Sequence, residues 1–194
     1  LYQLICTRGD LGSNEVTYTR DTLAAARYDE AQAGAQQLGI IQTVVLGHPD
    51  GELQPTLELR SQIVEHYRMG QPDALFTFDP YWPGQIHPDH RAAGLCTIEA
   101  LMPSKMRLYK PEQLIEAKVA NITQAFLFSP AVPSIAVDVT DVYARKVHAS
   151  TAHKSQFPEG EKNLEWMRRL DSDAAKRVGL EGRYVEQFGM LRVW

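Results

Sequence analysis

Strand-like and helix-like hydrophobic patterns alternate along the chain. Short apolar or β-branched runs predict three strands in the first half, at residues 1–6, 43–46 and 74–78. Between these strands, residues 21–38 and 57–69 carry apolar side chains at helical spacing, and Gly39 provides a stop signal for the first of these helices. The alternation indicates an α/β fold in which a mostly parallel sheet has helices on both faces.

The second half of the chain continues in the same way. Further strands are predicted at residues 125–128 and 135–139, and further helices at residues 88–101, 142–153 and 163–177. With 194 residues, 44% hydrophobic and 23% charged, the composition is typical of one globular domain covering residues 1–194. The expected fold class is Rossmann-like α/β, in which ligands bind beyond the carboxyl ends of the strands.

Charge and hydropathy narrow the class of partner. The formal net charge is -4 and no Lys/Arg cluster stands out, which argues against nucleic acid as a partner. No apolar run reaches the roughly 20 residues that span a bilayer, so we expect no membrane span. Cys6 and Cys96 lack metal-type spacing and are expected to be reduced core residues, which indicates a cytoplasmic location. A small-molecule partner is predicted, and the oligomeric state is not indicated.

Two histidines and a carboxylate follow the predicted strand at residues 74–78. His87 and His90 lie three positions apart at the start of a predicted helix, with Pro88 acceptable at a first helical position and Asp89 in the first turn. Both imidazoles can reach one point above the sheet edge, where one could hold a metal while the other contacts a substrate. The alternative is that Pro88 and Asp89 merely start a helix and the histidines are solvated.

Arg27 and Asp50 are candidates for binding a polar substrate. Arg27 offers a fork of donors, and Asp50, at a strand end, offers an acceptor, a combination suited to sugar hydroxyl groups. Equally, Arg27 could pair with Glu30 on the same helix face, and Asp50 could open an Asp-Gly turn. Asp79 could orient a metal-binding histidine or cap a turn.

Five short motifs lie at residues 7–13, 27–39, 46–53, 87–91 and 152–156. In this order they resemble the motifs of the PIG-L/LmbE-like family of zinc-dependent N-acetylglucosaminyl deacetylases. The segment His87-Pro88-Asp89-His90-Arg91 is similar to the second signature of that family. The resemblance covers most of the chain, and each motif falls in a matching strand or helix context.

The resemblance implies an activity and residue roles. The family removes the acetyl group from an N-acetylated amino sugar or its conjugate by attack of zinc-bound water. Carried over, His90 would be a zinc ligand, and His87 would polarise the substrate carbonyl or stabilise the oxyanion and protonate the leaving amine. Asp89 would orient or charge-stabilise His87. Iron is an alternative to zinc, because a site of histidines and carboxylates accepts both.

One element of the family pattern is not found at its expected place. In the family, the carboxylate base and two further zinc ligands come from a His-Pro-Asp-Asp sequence after the first strand, and this chain begins where the second strand would begin. We therefore expect the first strand and helix to be missing from the sequence. His48-Pro49-Asp50 could substitute, with Gly51 replacing the second aspartate, but its position after the Arg27/Glu30 helix matches a later family loop better.

Other classes of function stay open at this point. A sugar- or nucleotide-binding domain of similar fold could lack catalysis, and the absent carboxylates would then be native. No Gly-x-Gly-x-x-Gly fingerprint follows the first strand, which counts against dinucleotide binding. The chain could also be one piece of an enzyme that another polypeptide completes.

Overall fold

The computed structural model describes residues 1–193, which contain six β-strands and six α-helices that alternate over the first half of the chain. The strands are β1 Tyr2–Thr7, β2 Gln42–His48, β3 Ala74–Phe78, β4 Gln124–Phe128, β5 Ile135–Asp138 and β6 Val185–Arg192. The helices are α1 Arg20–Leu38, α2 Leu57–Gly70, α3 Pro88–Glu99, α4 Leu101–Lys105, α5 Tyr143–Thr151 and α6 Glu165–Arg177. This mixed α/β architecture confirms the predicted fold class.

The chain divides into two compact units. The first consists of Leu1–Glu52 and Ala136–Glu186, and the second consists of Leu53–Ile135 with the C-terminal strand from Gln187 onward. The expectation of a single domain over residues 1–194 stays a prediction. Within residues 1–193, no helix is both long and apolar enough to cross a membrane.

In the first unit, β1 and β2 pair in parallel, with Tyr2 opposite Gln42 at the start of the register. Helix α1 begins at a capping box, in which the Thr19 side chain accepts a hydrogen bond from the backbone N–H of Thr22. It ends at Gly39, which has a φ of 70°, a conformation that glycine adopts without strain. Helix α1 packs against α5 and β2.

A separate apolar cluster lies around α5 and α6, formed by Tyr143, Val147, Leu164 and Met167.

In the second unit, β3 and β4 pair in parallel and β6 runs antiparallel to β4, so that Phe78, Phe128 and Phe188 lie side by side. Within this unit the strand order is β3-β4-β6. Helices α2 and α3 pack together. The largest fully buried apolar side chains of this unit are those of Leu59, Ile63, Val64, Cys96 and Ile122.

The sequence did not predict β6. Gly189 lies inside this strand, where glycine is unfavourable by propensity. A Cβ atom at Gly189 would lie 3.2 Å from the Cβ of Pro130, so the close approach of the neighbouring loop favours glycine here. The predicted helix at residues 88–101 is divided at Ala100 into α3 and α4.

Candidate active site

His87 is the N-cap of α3. Its Nδ1 accepts a hydrogen bond from the backbone N–H of Asp89, at 3.3 Å, and thereby replaces the hydroxyl or carboxylate oxygen that usually caps a helix. Pro88 follows at the first helical position. Because Nδ1 is the acceptor, the neutral imidazole of His87 carries its proton on Nε2. The side chain is exposed, so this N–H is accessible to a small molecule.

The imidazole of His90 lies between two other rings. On one face it stacks on Phe78, with ring centroids 3.8 Å apart and planes 7° apart. On the other face it stacks on His87, with centroids 4.2 Å apart and planes 13° apart. The edge of the ring is also contacted, since Nδ1 of His90 lies 3.2 Å from Oε1 of Gln85.

Gly94 makes this stack possible. A Cβ atom at Gly94 would lie 2.5 Å from the carbonyl oxygen of Phe78, so only glycine lets α3 approach the end of β3 this closely. His90 lies one turn before Gly94 on the same helix. The close approach therefore brings the His90 ring against Phe78.

The stacked arrangement limits how a metal can bind. The lone pair of an imidazole nitrogen lies in the plane of the ring, and the two nearly parallel rings direct their lone pairs side by side rather than toward one point. His87 and His90 therefore do not both coordinate one ion in this arrangement. Within residues 1–193, no group of three or more His, Cys, Asp or Glu side chains is placed to hold a metal ion. His90 fits zinc or iron as one ligand of a larger set.

Asp89 is buried and connects two segments of the second unit. Its Oδ1 accepts a hydrogen bond from the backbone N–H of Leu53, at 3.1 Å, and its own backbone N–H donates to His87. A carboxylate in the first turn also complements the positive end of the helix. The residue thus holds the N-terminus of α3 in place, and its predicted effect on His87 stays a prediction.

Asp79 joins its own loop to the loop after β4. Its two carboxylate oxygens accept hydrogen bonds from the backbone N–H groups of Tyr81, at 2.9 Å, and Ala131, at 3.0 Å. The structure therefore shows the turn cap, one of the two roles considered for this residue. The side chain beside His90 is instead that of Gln85, which the sequence did not single out. No motif marks this glutamine, apart from its place two residues before His87.

In the first unit, Arg27 lies along the glycine-containing loop after β1. Its Nη2 donates to the carbonyl oxygen of Gly12 at 2.9 Å, and its Cγ would lie 3.3 Å from a Cβ at Gly9. Burial lowers the pKa of the guanidinium, and the charges of Glu30 and Asp50 partly offset this effect.

Glu30 accepts two hydrogen bonds, both 2.7 Å long, from the backbone N–H and hydroxyl of Ser155. These bonds tie α1 to the segment after α5.

Asp50 lies in the loop after β2, where residues 50–51 form a turn. Its carboxylate oxygens lie 3.4 Å from the hydroxyl of Thr7 and 3.4 Å from the backbone N–H of Leu11, both long contacts. Its backbone N–H donates to the buried Asp10 at 2.8 Å. Burial alone would raise the pKa of Asp10, but hydrogen bonds from backbone N–H groups and the charges of Arg20 and Arg8 together lower it.

The predicted site residues therefore fall into two groups. His87, Asp89 and His90 lie in the second unit, at the start of α3. Arg27 and Asp50 lie in the first unit, around the loop that follows β1. Within each group the residues share neighbouring backbone segments.

This chain has a mixed α/β fold that matches the solved structure of a deacetylase. The solved structure of N,N'-diacetylchitobiose deacetylase from Pyrococcus horikoshii, complexed with its inhibitor, matches with a TM-score of 0.91 and 29% identity. The match covers 98% of this chain and 72% of that chain. The family model described as PIG-L, GlcNAc-PI de-N-acetylase, matches residues 1–101, and the chain belongs to this family.

Two curated relatives are similar in sequence. Diacetylchitobiose deacetylase from Thermococcus kodakarensis is 33% identical over 157 residues, which cover 80% of this chain and 59% of the relative. The probable N-acetyl-alpha-D-glucosaminyl L-malate deacetylase 2 from Bacillus anthracis is 30% identical over 158 residues, which cover 78% of this chain and 66% of the relative. The chain thus spans less than two thirds of the length of each of these relatives.

Proposed function

We propose that this protein is a metal-dependent hydrolase that removes the acetyl group from an N-acetylated amino sugar or its conjugate. The observation that carries the proposal is the pair of stacked imidazoles at the start of α3, of which His87 presents an exposed N–H. The names of the relatives, which are deacetylases of N-acetylated sugars, favour this class of substrate. A cytoplasmic location is part of the same proposal.

His90 would hold the metal through its imidazole. Its ring is fixed on both faces by Phe78 and His87, so a bound ion would find this ligand already oriented. Zinc bound there would make a nucleophilic water available near neutral pH, because it lowers the pKa of that water to about 7. Iron would suit the same kind of ligand set.

His87 would act on the amide. In its neutral form, Nε2–H can donate a hydrogen bond to the carbonyl oxygen of the substrate and stabilise the negative charge that develops on that oxygen. When the C–N bond breaks, a proton must reach the nitrogen, and His87 could deliver it after taking up, as an imidazolium, the proton that the attacking water loses. Water and the amide then yield acetate and a free amine. Asp89 would support these steps by fixing the helix start through Leu53.

Arg27 and Asp50 would bind sugar hydroxyl groups. The long contacts of Asp50 leave its carboxylate able to accept stronger hydrogen bonds from a ligand. Arg27 has a guanidinium held in place by the carbonyl of Gly12. A donor fork and an acceptor in the same unit are the groups that sugar recognition requires.

The remaining ligands and the carboxylate base are expected, from the resemblance to the family, in a segment that would precede Leu1. The proposal therefore has to be tested on two forms of the protein, the 194-residue chain and a form extended upstream of Leu1 by its own coding sequence. Comparison of the two forms separates the contribution of the described residues from that of the segment.

The test is to incubate both forms with N,N'-diacetylchitobiose or N-acetylglucosamine. Acetate is measured by NMR, and the free amine is measured with an amine-reactive dye. We expect equal amounts of both products from the extended form, loss of activity on treatment with a chelator, and recovery with zinc. Binding of the sugars without acetate release by either form would favour the binding-domain alternative. Hydrolysis that persists after complete removal of metal would contradict the proposal.

A further inference from the structure

Gln85 is a buried polar side chain whose place next to His90 nothing in the sequence indicates. It is 7% exposed, and its Oε1 lies 3.2 Å from Nδ1 of His90. A buried amide group is expected to form hydrogen bonds, and those to a histidine determine which ring nitrogen carries the proton.

The loop before α3 holds Gln85 in this position. The backbone N–H of Gln85 donates to the carbonyl of Trp82 at 3.0 Å, and that of Ile86 donates to the carbonyl of Gly84 at 3.0 Å. A Cβ atom at Gly84 would lie 2.5 Å from the ring of Trp82, so the indole packs directly over the backbone there. These contacts make a tight loop that fixes the backbone from which the Gln85 side chain extends.

Three contacts together define the orientation of the His90 ring. Stacking on Phe78 and His87 fixes the plane of the ring but leaves it able to turn within that plane. The hydrogen bond to Oε1 of Gln85 acts at one edge of the ring and removes this remaining freedom. An amide oxygen can only accept a hydrogen bond, so its partner, Nδ1 of His90, must be the donor.

We propose that Gln85 is a positioning residue, whose amide oxygen keeps the proton of neutral His90 on Nδ1 and leaves the lone pair on Nε2 for a metal ion. His87 has the opposite arrangement, with Nδ1 as the acceptor and the proton on Nε2. The two neighbouring histidines would thus differ in tautomer, one suited to ligation and the other to donation. The metal-binding consequence rests on the proposed function, whereas the tautomer of His90 does not.

The tautomer is measured directly on the metal-free chain. In a ¹⁵N-labelled sample at about pH 8, where a histidine with an ordinary pKa near 6.5 is neutral, long-range proton–nitrogen spectra distinguish Nδ1–H from Nε2–H. The His90→Asn variant identifies the signals of His90. We expect the Nδ1–H form for His90 in the unaltered chain, although neutral histidine in water favours the Nε2–H form.

Three variants test the cause. Gln85→Leu removes the acceptor, so His90 should change to the Nε2–H form. Gln85→Glu keeps an acceptor and should preserve Nδ1–H. Gln54→Leu alters an exposed glutamine in the same unit and should change nothing. An Nε2–H form in the unaltered chain, or an unchanged Nδ1–H form in Gln85→Leu, would overturn the proposal. If Gln85→Leu does not fold, the unaltered chain and Gln85→Glu decide the question.

Zinc affinity of the extended form, measured by competition with a chromogenic chelator, provides the second readout. Loss of a side chain that orients a metal ligand typically weakens metal binding by about 10- to 100-fold, and we expect that loss for Gln85→Leu but not for Gln85→Glu. An unchanged zinc affinity in Gln85→Leu would contradict the positioning role. If the tautomer responds as expected but no form binds zinc, the proposed function fails while the assignment of Gln85 to His90 stands.

Discussion

The imidazoles of His87 and His90 stack with centroids 4.2 Å apart and planes 13° apart. Their separation of three residues at a helix start brings the two rings together, and the cap formed by His87 with the backbone of Asp89 holds the first of them. The two rings differ in surroundings, since His87 is exposed while His90 lies between two rings. The stack therefore places the exposed His87 next to a second imidazole whose plane is fixed on both faces.

Replacement of Gly94 by alanine should disturb this stack. A Cβ atom there would meet the carbonyl oxygen of Phe78, so α3 must move away from β3, at a cost of about 1–3 kcal/mol. Urea denaturation should show the loss of stability, and zinc affinity should fall in the form that binds zinc. Gly70→Ala is the matched control, because nothing lies within 4 Å of a Cβ at that position. Equal stability of the two variants would contradict the packing argument.

Arg68 should be essential for the segment after α4. Its side chain is buried, with the residue 1% exposed, and it donates to five oxygen acceptors, those of Pro103, Ser104, Met106, Lys110 and Gln113. Arg68→Met would remove all five hydrogen bonds, although the four backbone carbonyls among the acceptors keep a backbone N–H donor, and should lower the free energy of unfolding by about 3 kcal/mol. Urea denaturation tests this, with the exposed Arg107→Met as control. A loss as small as that of the control would contradict this structural role.

Cys96 should be chemically inert in the folded chain. Burial, with a further contribution from Glu99, raises the pKa of its thiol to about 11, which Arg60 only partly offsets. At about pH 8 the reactive thiolate should be about 100-fold rarer than in the unfolded chain. Alkylation with iodoacetamide, followed by mass spectrometry in the presence and absence of urea, measures the difference. Similar rates in both states would show that the thiol is not protected.

His153 should make stability depend on pH. Burial lowers its pKa, Glu30 partly restores it, and Arg27 lowers it further. The unfolded chain then binds a proton more readily than the folded chain below about pH 6.5, so stability should fall as the pH decreases through and below that value. Denaturation midpoints between about pH 8 and pH 5.5 should decline less in His153→Gln. An identical decline in both proteins would assign the effect to other groups, such as His66, whose pKa burial also lowers.

Local patterns predicted most of the fold. Strand β3 was predicted at residues 74–78, where the structure has it, because its apolar residues stand between clear breaks. Strand β6 was missed because Gly189 weakens its propensity, and its pairing with β4 depends on a segment far away in the chain. Strand pairing of this kind depends on the tertiary fold, about which the propensities of single residues give no information.

At the candidate site, as in the fold, only features that depend on local sequence spacing were predictable. The spacing of His87 and His90 was sufficient to bring them together, since it is local to one helix start. Contacts that depend on loop shape were not predictable, as with Gln85, which reaches His90 through a turn before α3. Long-range partners were missed as well, since Glu30 bonds to Ser155 from 125 positions away rather than pairing with Arg27.

The most direct test of a metal-dependent deacetylase is the zinc content and turnover of His90→Ala and His87→Ala in the form that releases acetate. Plasma mass spectrometry measures the metal, and His148→Ala, at an exposed position on α5, serves as control. We predict that His90→Ala loses zinc and turnover together, and that His87→Ala retains zinc but loses turnover, by about 100-fold or more. The reverse pattern, in which His87→Ala loses the metal and His90→Ala keeps it, would contradict the account.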